Sequence, residues 1–168
     1  MSAWGDIPTW ITTLAVGFGA YQLFHDRQTR QRQAEAEART QASAVSAWAG
    51  SFRAPEGQSN DYGFVIANDS GLPLRDVEVD VTLHGDVYES VDIMVLPAGS
   101  FFVELIGKGD WDYATSLEEY DKPVRPHTRT ARYRVNAVRF TDALGCRWAL
   151  DEAGSLNRLA LALSTDGR

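Results

Sequence analysis

The chain has 168 residues, which is room for one ordinary domain and an appendage. Its net charge of −7 comes from the residues after position 42, and this acidic part is a poor candidate for nucleic-acid binding, because such binding depends mainly on neutralising phosphates. A single cysteine, Cys146, excludes an intramolecular disulfide and a cysteine-based zinc site.

An apolar stretch without formal charge, residues 7–24, predicts a membrane-spanning helix. Its 18 residues fall in the range of about 17 to 25 that a spanning helix needs. A signal peptide would need a basic start and a small-residue cleavage site, and an interfacial helix would need a charged face. The stretch has none of these features, so we expect it to hold the protein in a lipid bilayer as a single-pass anchor.

The charges beside this stretch predict its orientation. Arg27, Arg30 and Arg32 follow it directly, while the residues before it contain no Lys or Arg. Basic residues stay on the cytoplasmic side of a membrane. We therefore expect a cell (inner) membrane protein with its N-terminus outside and its C-terminal domain in the cytoplasm.

Small residues within the stretch could let two such helices pack closely. They lie at spacings of four residues, which places each pair on one helix face. A homo-oligomer is therefore one expectation. The residues concerned are Thr13, Ala15, Gly17 and Gly19.

A helical spacer is predicted between the anchor and the remaining chain. Residues 27–44 are rich in Ala, Arg, Gln and Glu and contain neither Gly nor Pro, which favours a helix. Only alanines recur at possible heptad positions, so a solvated spacer is favoured over a coiled coil. The predicted domains are an anchor at 1–26, this spacer, and a β domain at 45–168.

From residue 45 the apolar pattern changes from helical to alternating. Apolar residues at every second position of 77–83 predict a strand with one buried face, and the run at 62–67 predicts an interior strand. Turn-forming residues at 68–73 predict that these two strands are adjacent. Further strands are predicted at 46–53, 87–96, 101–106, 132–140 and 146–150, with a hairpin loop at 141–145 and a short strand or helix at 155–163.

Many short strands separated by turns predict an all-β antiparallel sandwich of immunoglobulin or fibronectin-III type. The connection at 107–130 is long for such a fold, and long connections are often functional. Aromatic residues rimmed by charge are favoured at interfaces, although these rings could instead cover an open end of the sandwich. The residues we expect to contact a partner are Trp111, Tyr113 and Tyr120, with Arg125 and Arg129 as a charged rim.

Several motifs together resemble a group of small single-pass membrane proteins of actinobacteria. The motifs are WGDIPTW at 4–10, the Gln/Arg/Ala-rich spacer, VSAW at 45–48, NDSGLPL at 68–74, and VRFTD at 138–142 followed by Gly145 and Trp148. The resemblance covers nearly the whole chain. It implies a span, a helical spacer and a C-terminal β-sandwich, and it supplies no activity and no catalytic residues.

Residue types that carry catalysis form no recognisable motif in this chain. His25, His84 and His127 are far apart and lack ligand spacing, and no phosphate-binding or nucleophile motif occurs. The carboxylates at 76, 78 and 80 could lie on one strand face and bind Ca²⁺ or act as an acid/base pair, but a solvated face needs carboxylates equally. We predict no enzyme, no metal and no cofactor.

Three functions are compatible with these features. The favoured one is a membrane-anchored scaffold or accessory module whose cytoplasmic β-sandwich binds another protein. The second is a sandwich that senses a small molecule or a carbohydrate. The third is a membrane effector that acts through assembly of its spans.

Overall fold

The computed structural model describes residues 22, 25, 33, 35–54, 56, 59–107 and 109–160. Apart from Gln22, the predicted span and its small-residue pairs lie outside the described residues. No helix among the residues that the structure describes is long and apolar enough to cross a membrane. The chain divides into two compact units, Met1–Arg39 and Thr40–Arg168. Residues 35–43 are helical, which agrees with their helix-favouring composition.

Within the described part of the second unit, the strands form two antiparallel sheets. The first has the order β6-β5-β2-β1-β8, with β7 also paired to β5. The second has the order β11-β10-β9-β3-β4. The first-sheet strands are β1 (Val45–Phe52), β2 (Asp61–Asn68), β5 (Gly99–Ile106), β6 (Asp110–Trp111), β7 (Thr115–Ser116) and β8 (Arg125–Pro126). The second-sheet strands are β3 (Leu74–Leu83), β4 (Asp86–Leu96), β9 (Arg134–Thr141), β10 (Arg147–Asp151) and β11 (Leu156–Arg158).

The main core lies between the two sheets, where β1 and β2 face β3 and β9. Successive side chains of a strand point to opposite faces, so the alternating apolar residues of β3 all point inward. Val77, Val79 and Val81 are fully buried, as are Phe64 of β2 and Phe140 of β9. The predicted all-β architecture is therefore confirmed as a pair of antiparallel sheets arranged like a β-sandwich. In the described part of the predicted tail, residues 155–160, Leu156–Arg158 form strand β11.

The prediction that β2 and β3 are adjacent strands is wrong. β2 pairs with β1 and β5, while β3 pairs with β4 and β9, so the turn between them crosses from one sheet to the other. The buried side chain of Asn68 holds this crossing, because its Nδ2 donates to the carbonyl oxygens of Leu72, Leu96 and Pro97. The last two belong to the crossing between β4 and β5. Turn-forming residues specify a chain reversal, but they do not specify which sheet the next strand joins.

The long connection at 107–130 lies along the first sheet. β6 and β7 pair with β5, a 3₁₀ helix follows at Leu117–Glu119, and β8 pairs with β1. Side chains of this connection cover the outer face of the sheet, where they pack on the buried cluster of Phe52, Val65 and Phe102. The covering side chains are Leu117, Tyr120 and Val124. The first sheet therefore has apolar residues packed on both of its faces.

Candidate interaction surface

The residues predicted as partner contacts lie in three different places. Trp111 lies on β6 and Arg125 on β8, at opposite edges of the first sheet. Tyr120 packs on the outer face of that sheet, and Arg129 is exposed in the loop after β8. Tyr113 lies two residues beyond Trp111. The structure thus brings Trp111 and Tyr113 together, and it does not place the two arginines around them.

Trp111 occupies the open side between the two sheets. Its indole meets the ring of Phe64 edge-on, with 5.4 Å between centroids, and the ring of Tyr88 edge-on at 5.5 Å. Phe64 belongs to the first sheet and Tyr88 to the second. The backbone of Trp111 pairs with Leu105 of β5, and Gly107 and Gly109 have the positive φ angles that the intervening turn requires. Trp111 therefore closes this side of the core. This agrees with the alternative interpretation, in which the aromatic rings of the connection cover an open end of the sandwich.

Tyr113 lies in a short loop that turns its ring to solvent. The backbone N–H of Tyr113 donates to Oδ1 of Asp112 at 2.8 Å, and Oγ1 of Thr115 donates to the carbonyl of Tyr113 at 3.3 Å. The backbone N–H of Asp112 in turn donates to the carbonyl of Glu104 on β5. The backbone is held on both sides of Tyr113, while its side chain is 89% exposed. Such a ring is available for a partner at little cost in backbone entropy.

A groove of about 650 Å³ separates this loop from strand β4. One wall is formed by Ile93, Met94 and Val95 of β4, and the other by residues 111–114. Val103 lies at the groove as a buried residue. We call this feature the β4 groove. Its two walls come from different sheets, so it follows the same open side of the domain that Trp111 closes.

Strand β4 lies at the edge of the second sheet. Within the described chain it pairs with β3 along one side and with no strand along the other. Met94 is 85% exposed and Val95 is 55% exposed on this edge strand. Exposed apolar side chains beside an unpaired strand edge mark an interaction surface or an aggregation hazard.

The apolar pattern of β4 is irregular along this edge. Strand β4 was predicted, but its last four residues, Ile93–Leu96, are all apolar and break the alternation of a strand with one solvated face. In a strand that is not interior to its sheet, such a run leaves apolar side chains on the solvent side. Only the sheet order shows that β4 is at the edge.

The charged side chains that line the β4 groove are acidic. Asp92 and Asp112 are among the described residues that line it, and those residues include no Lys, Arg or His. Glu104, on the neighbouring strand β5, has its pKa raised by burial and then by the carboxylates of Asp61 and Asp112. This side of the domain therefore favours a partner that brings positive charge.

A second cluster, at one end of the domain, joins two histidines that are distant in the sequence. The ring of His127 stacks on Tyr133 at 4.3 Å, and Tyr62 meets the ring of His84 edge-on at the same separation. Nδ1 of His84 lies 2.9 Å from the hydroxyl oxygen of Tyr133. The wide spacing of the histidines in the sequence gave no sign of this cluster, which long-range strand pairing creates.

The surroundings of His127 favour packing over catalysis. Its Nε2 lies 3.2 Å from Oγ of Ser51, but Ser51 is buried and out of reach of a substrate. Burial, and then the charge of His84, lower the pKa of His127. The hydrogen bonds of the described residues give His127 no carboxylate to orient its ring, so the serine and histidine do not form a nucleophile with a positioned base.

Two of the three carboxylates of β3, those of Glu78 and Asp80, form ion pairs on the outer face of the second sheet. The guanidinium of Arg139 donates two hydrogen bonds to Asp80, each of 2.8 Å, and a third to Glu78. Arg147 also pairs with Glu78. The hydrogen bonds from Arg139 hold the pKa of both carboxyls below the usual range. Among the described residues, no three His, Cys, Asp or Glu side chains are placed to share a metal ion.

Comparison of the chain with protein-family models, with curated proteins and with solved structures finds no significant match.

Proposed function

We propose that this chain is a membrane-anchored interaction module without catalytic activity, whose C-terminal domain binds another protein at the β4 groove. The observation that carries the proposal is the exposure of Tyr113 and Met94 on the two facing walls of that groove. Large apolar side chains on opposite sides of one concave surface, rimmed by charge, are what protein interfaces favour. Trp111 contributes by fixing the position of the wall that carries Tyr113.

The membrane location and the finer fold are parts of the same proposal. The uncharged stretch at 7–24 and the arginines after it support a single span with the β domain in the cytoplasm. Two antiparallel sheets whose strands cross from one sheet to the other support an immunoglobulin-like or fibronectin-III-like sandwich. The resemblance to small single-pass proteins of actinobacteria agrees with both.

Photo-crosslinking in living cells tests the contact surface. Benzoylphenylalanine is introduced in place of Tyr113, Met94 or Leu144, and Leu144 is the matched control because it is also an exposed apolar residue, on the loop between β9 and β10. We expect the same discrete adduct from positions 113 and 94 and none from 144. The absence of an adduct at 113 and 94, or an equal yield at 144, would overturn the proposed surface.

Cysteine labelling from outside intact cells tests the orientation. A membrane-impermeant maleimide is expected to modify a Ser2→Cys variant and to leave native Cys146 unmodified until the cells are permeabilised. Cys146 is partly exposed, so we expect its thiol to react with the reagent once the membrane is open. Labelling of Cys146 in intact cells would place the β domain outside.

A further inference from the structure

We propose that the β4 groove binds its partner as an added β-strand: an extended segment with apolar side chains at alternate positions and basic residues at its ends. This inference rests on the proposed function and specifies the partner. The added segment would lie along the free edge of β4, between that strand and the loop that carries Tyr113.

The pairing of β4 with β3 keeps one register over the part that faces the groove. Val91 pairs with Val79 and Leu96 with Leu74, with a gap in the pairing at Asp76 and Met94, where Asp76 has a φ of 47°. The irregularity of this pair lies on the other side of Ser90, which has a φ of 55° and whose N–H donates to Oδ1 of Asp80. An edge strand that keeps its register can offer its outward N–H and C=O groups to a further strand at the usual spacing.

This edge also lacks most of the features by which natural proteins protect exposed strands. Such strands are usually very short, or they carry Lys, Pro or several charges on the edge. The stretch from Val91 to Leu96 carries one charge, Asp92, and four consecutive apolar residues follow it. The chain as a whole has a net charge of −7, yet this edge is apolar and unprotected. Such an edge is consistent with one that a partner covers in the cell.

The walls of the groove suit alternate side chains of an added strand. Side chains of one parity would point toward Val103 and Trp111, and those of the other parity would lie near Met94 on the outer face. The ring of Tyr113 stands free at the wall opposite β4 and can close over the added backbone. Main-chain hydrogen bonds would then provide much of the affinity, while the apolar pockets provide specificity.

Charge distinguishes a foreign segment from a second copy of this chain. Pairing two β4 edges would bring Asp92 and Asp112 close to the same carboxylates of the other copy, because no basic residue is found among the described lining residues. Like charges at such a distance oppose association. A basic segment of another protein would instead meet opposite charge, so we assign the groove to such a segment.

Peptide selection on the full-length chain in lipid nanodiscs tests the mode of binding. The probe is a random twelve-residue library displayed on phage, and the folded state of each variant is checked by near-ultraviolet circular dichroism. We expect the enriched peptides to have apolar residues at alternate positions and Lys or Arg at their ends.

Met94→Lys and Asp92→Lys should each weaken the binding of the best peptide by about tenfold or more. The matched surface variants Leu144→Lys and Asp121→Lys should leave its affinity unchanged.

Backbone methylation of the best peptide distinguishes strand addition from other modes. Two peptides are made with N-methyl groups at alternate amides, one for each parity. In an added strand only one parity donates to β4, so one methylated peptide should lose on the order of tenfold or more in affinity while the other retains it. Equal loss for both parities would overturn strand addition.

The remaining outcomes separate this inference from the proposed function. Peptides with apolar residues at helical spacing, acidic peptides, or no enrichment would overturn strand addition, while a crosslink from position 113 would still support the interaction surface. An adduct between two copies from position 94 would assign the groove to self-association and overturn the basic partner. If the N-methyl peptides bound with the expected dependence on parity but no photo-crosslinked adduct formed in cells, strand addition to β4 would be supported and the proposed function would be contradicted.

Discussion

The ring of Tyr120 lies nearly parallel to that of Phe52, with 4.3 Å between their centroids and 19° between their planes. It also meets Phe102 edge-on at 5.9 Å. Burial at this position raises the pKa of the Tyr120 hydroxyl. Tyr120 therefore acts as part of a second, smaller core on the outer face of the first sheet. This gives the two tyrosines of the long connection different roles, since Tyr113 has no ring contact within the described chain and points to solvent.

Tyr120→Ala should destabilise the fold, whereas Tyr113→Ala should not. Removing a partly buried ring that packs on Phe52 and Phe102 is expected to lower the free energy of unfolding by about 2–3 kcal/mol. Removing the exposed ring of Tyr113 should change it by less than about 0.5 kcal/mol. Urea unfolding of the full chain, followed by tryptophan fluorescence, measures both values. Similar losses for the two variants would contradict this division of roles.

The ion pairs of Arg139 should make stability depend on pH below about 5. Hydrogen bonds from Arg139 lower the pKa of Glu78 and Asp80 in the folded chain, so the stabilisation is present above their unfolded values, about 4, and is lost as pH falls through the lower folded values. Arg139→Ala should lower the free energy of unfolding by about 1–2 kcal/mol at pH 7. The decrease in stability at acidic pH should then be smaller than in the unaltered chain. Unfolding free energies between pH 7 and pH 3 measure both effects.

Arg134→Ala is the matched control for that variant. Arg134 makes one hydrogen bond of 2.8 Å to Glu152, and both side chains are largely exposed. Exposed ion pairs contribute little, so we expect the free energy of unfolding to change by less than about 0.5 kcal/mol. Its decrease at acidic pH should be the same as in the unaltered chain. An equal loss of stability in Arg139→Ala and Arg134→Ala would show that the bidentate contact with Asp80 contributes no more than an exposed ion pair.

His127 should cause a separate loss of stability as pH falls below about 6.5. Burial and the nearby His84 lower the pKa of His127 in the folded chain. The unfolded chain therefore binds the proton more readily, and the folded state loses stability as pH falls through the ordinary histidine range. His127→Phe keeps a ring against Tyr133 and removes the titration. Loss of the Ser51 contact should lower the free energy of unfolding of this variant by the same amount at every pH. Its free energy of unfolding should also change less between pH 7 and pH 5 than that of the unaltered chain. An unchanged slope would show that another group is responsible for the titration.

Local patterns in the sequence were sufficient to predict the longer strands, but not β6, β7 and β8 within the connection at 107–130. Alternation at 77–83 predicted β3, and the glycine near the end of 141–145 predicted the β9–β10 hairpin, where Gly145 has a φ of 80°. These features depend on residues close together in the chain. Side-chain alternation and turn chemistry therefore determine them without knowledge of the tertiary fold.

Features that depend on sheet order could not be predicted in this way. The crossing between β2 and β3, the edge position of β4 and the separation of Trp111 from Arg125 all follow from which strands pair. Nothing in the local sequence of β4 distinguishes an edge strand from a covered one. The candidate surface was consequently predicted in part: its aromatic wall was found in the sequence, while its β4 wall was not.

Asn68 provides the sharpest test of how the two sheets are joined. Its Nδ2 lies 2.8, 3.3 and 3.0 Å from the carbonyl oxygens of Leu72, Leu96 and Pro97, and its Oδ1 accepts from Ser70. Asn68→Asp keeps the shape but removes the donor and places a buried carboxylate against three carbonyl oxygens. An uncompensated charge of this kind is expected to cost about 3 kcal/mol or more at pH 7.

The cost of Asn68→Asp should diminish at low pH, because a protonated carboxyl regains one donor. Asn60→Asp is the matched control: Oδ1 of Asn60 accepts from the N–H of Ala54 at an exposed site, and a carboxylate oxygen can accept equally well, so a change of less than about 0.5 kcal/mol is expected. Urea unfolding at pH 7 and pH 4, with each variant compared with the unaltered chain at the same pH, measures these differences. If both variants behaved alike, the donor of Asn68 would not be what holds the two crossings together.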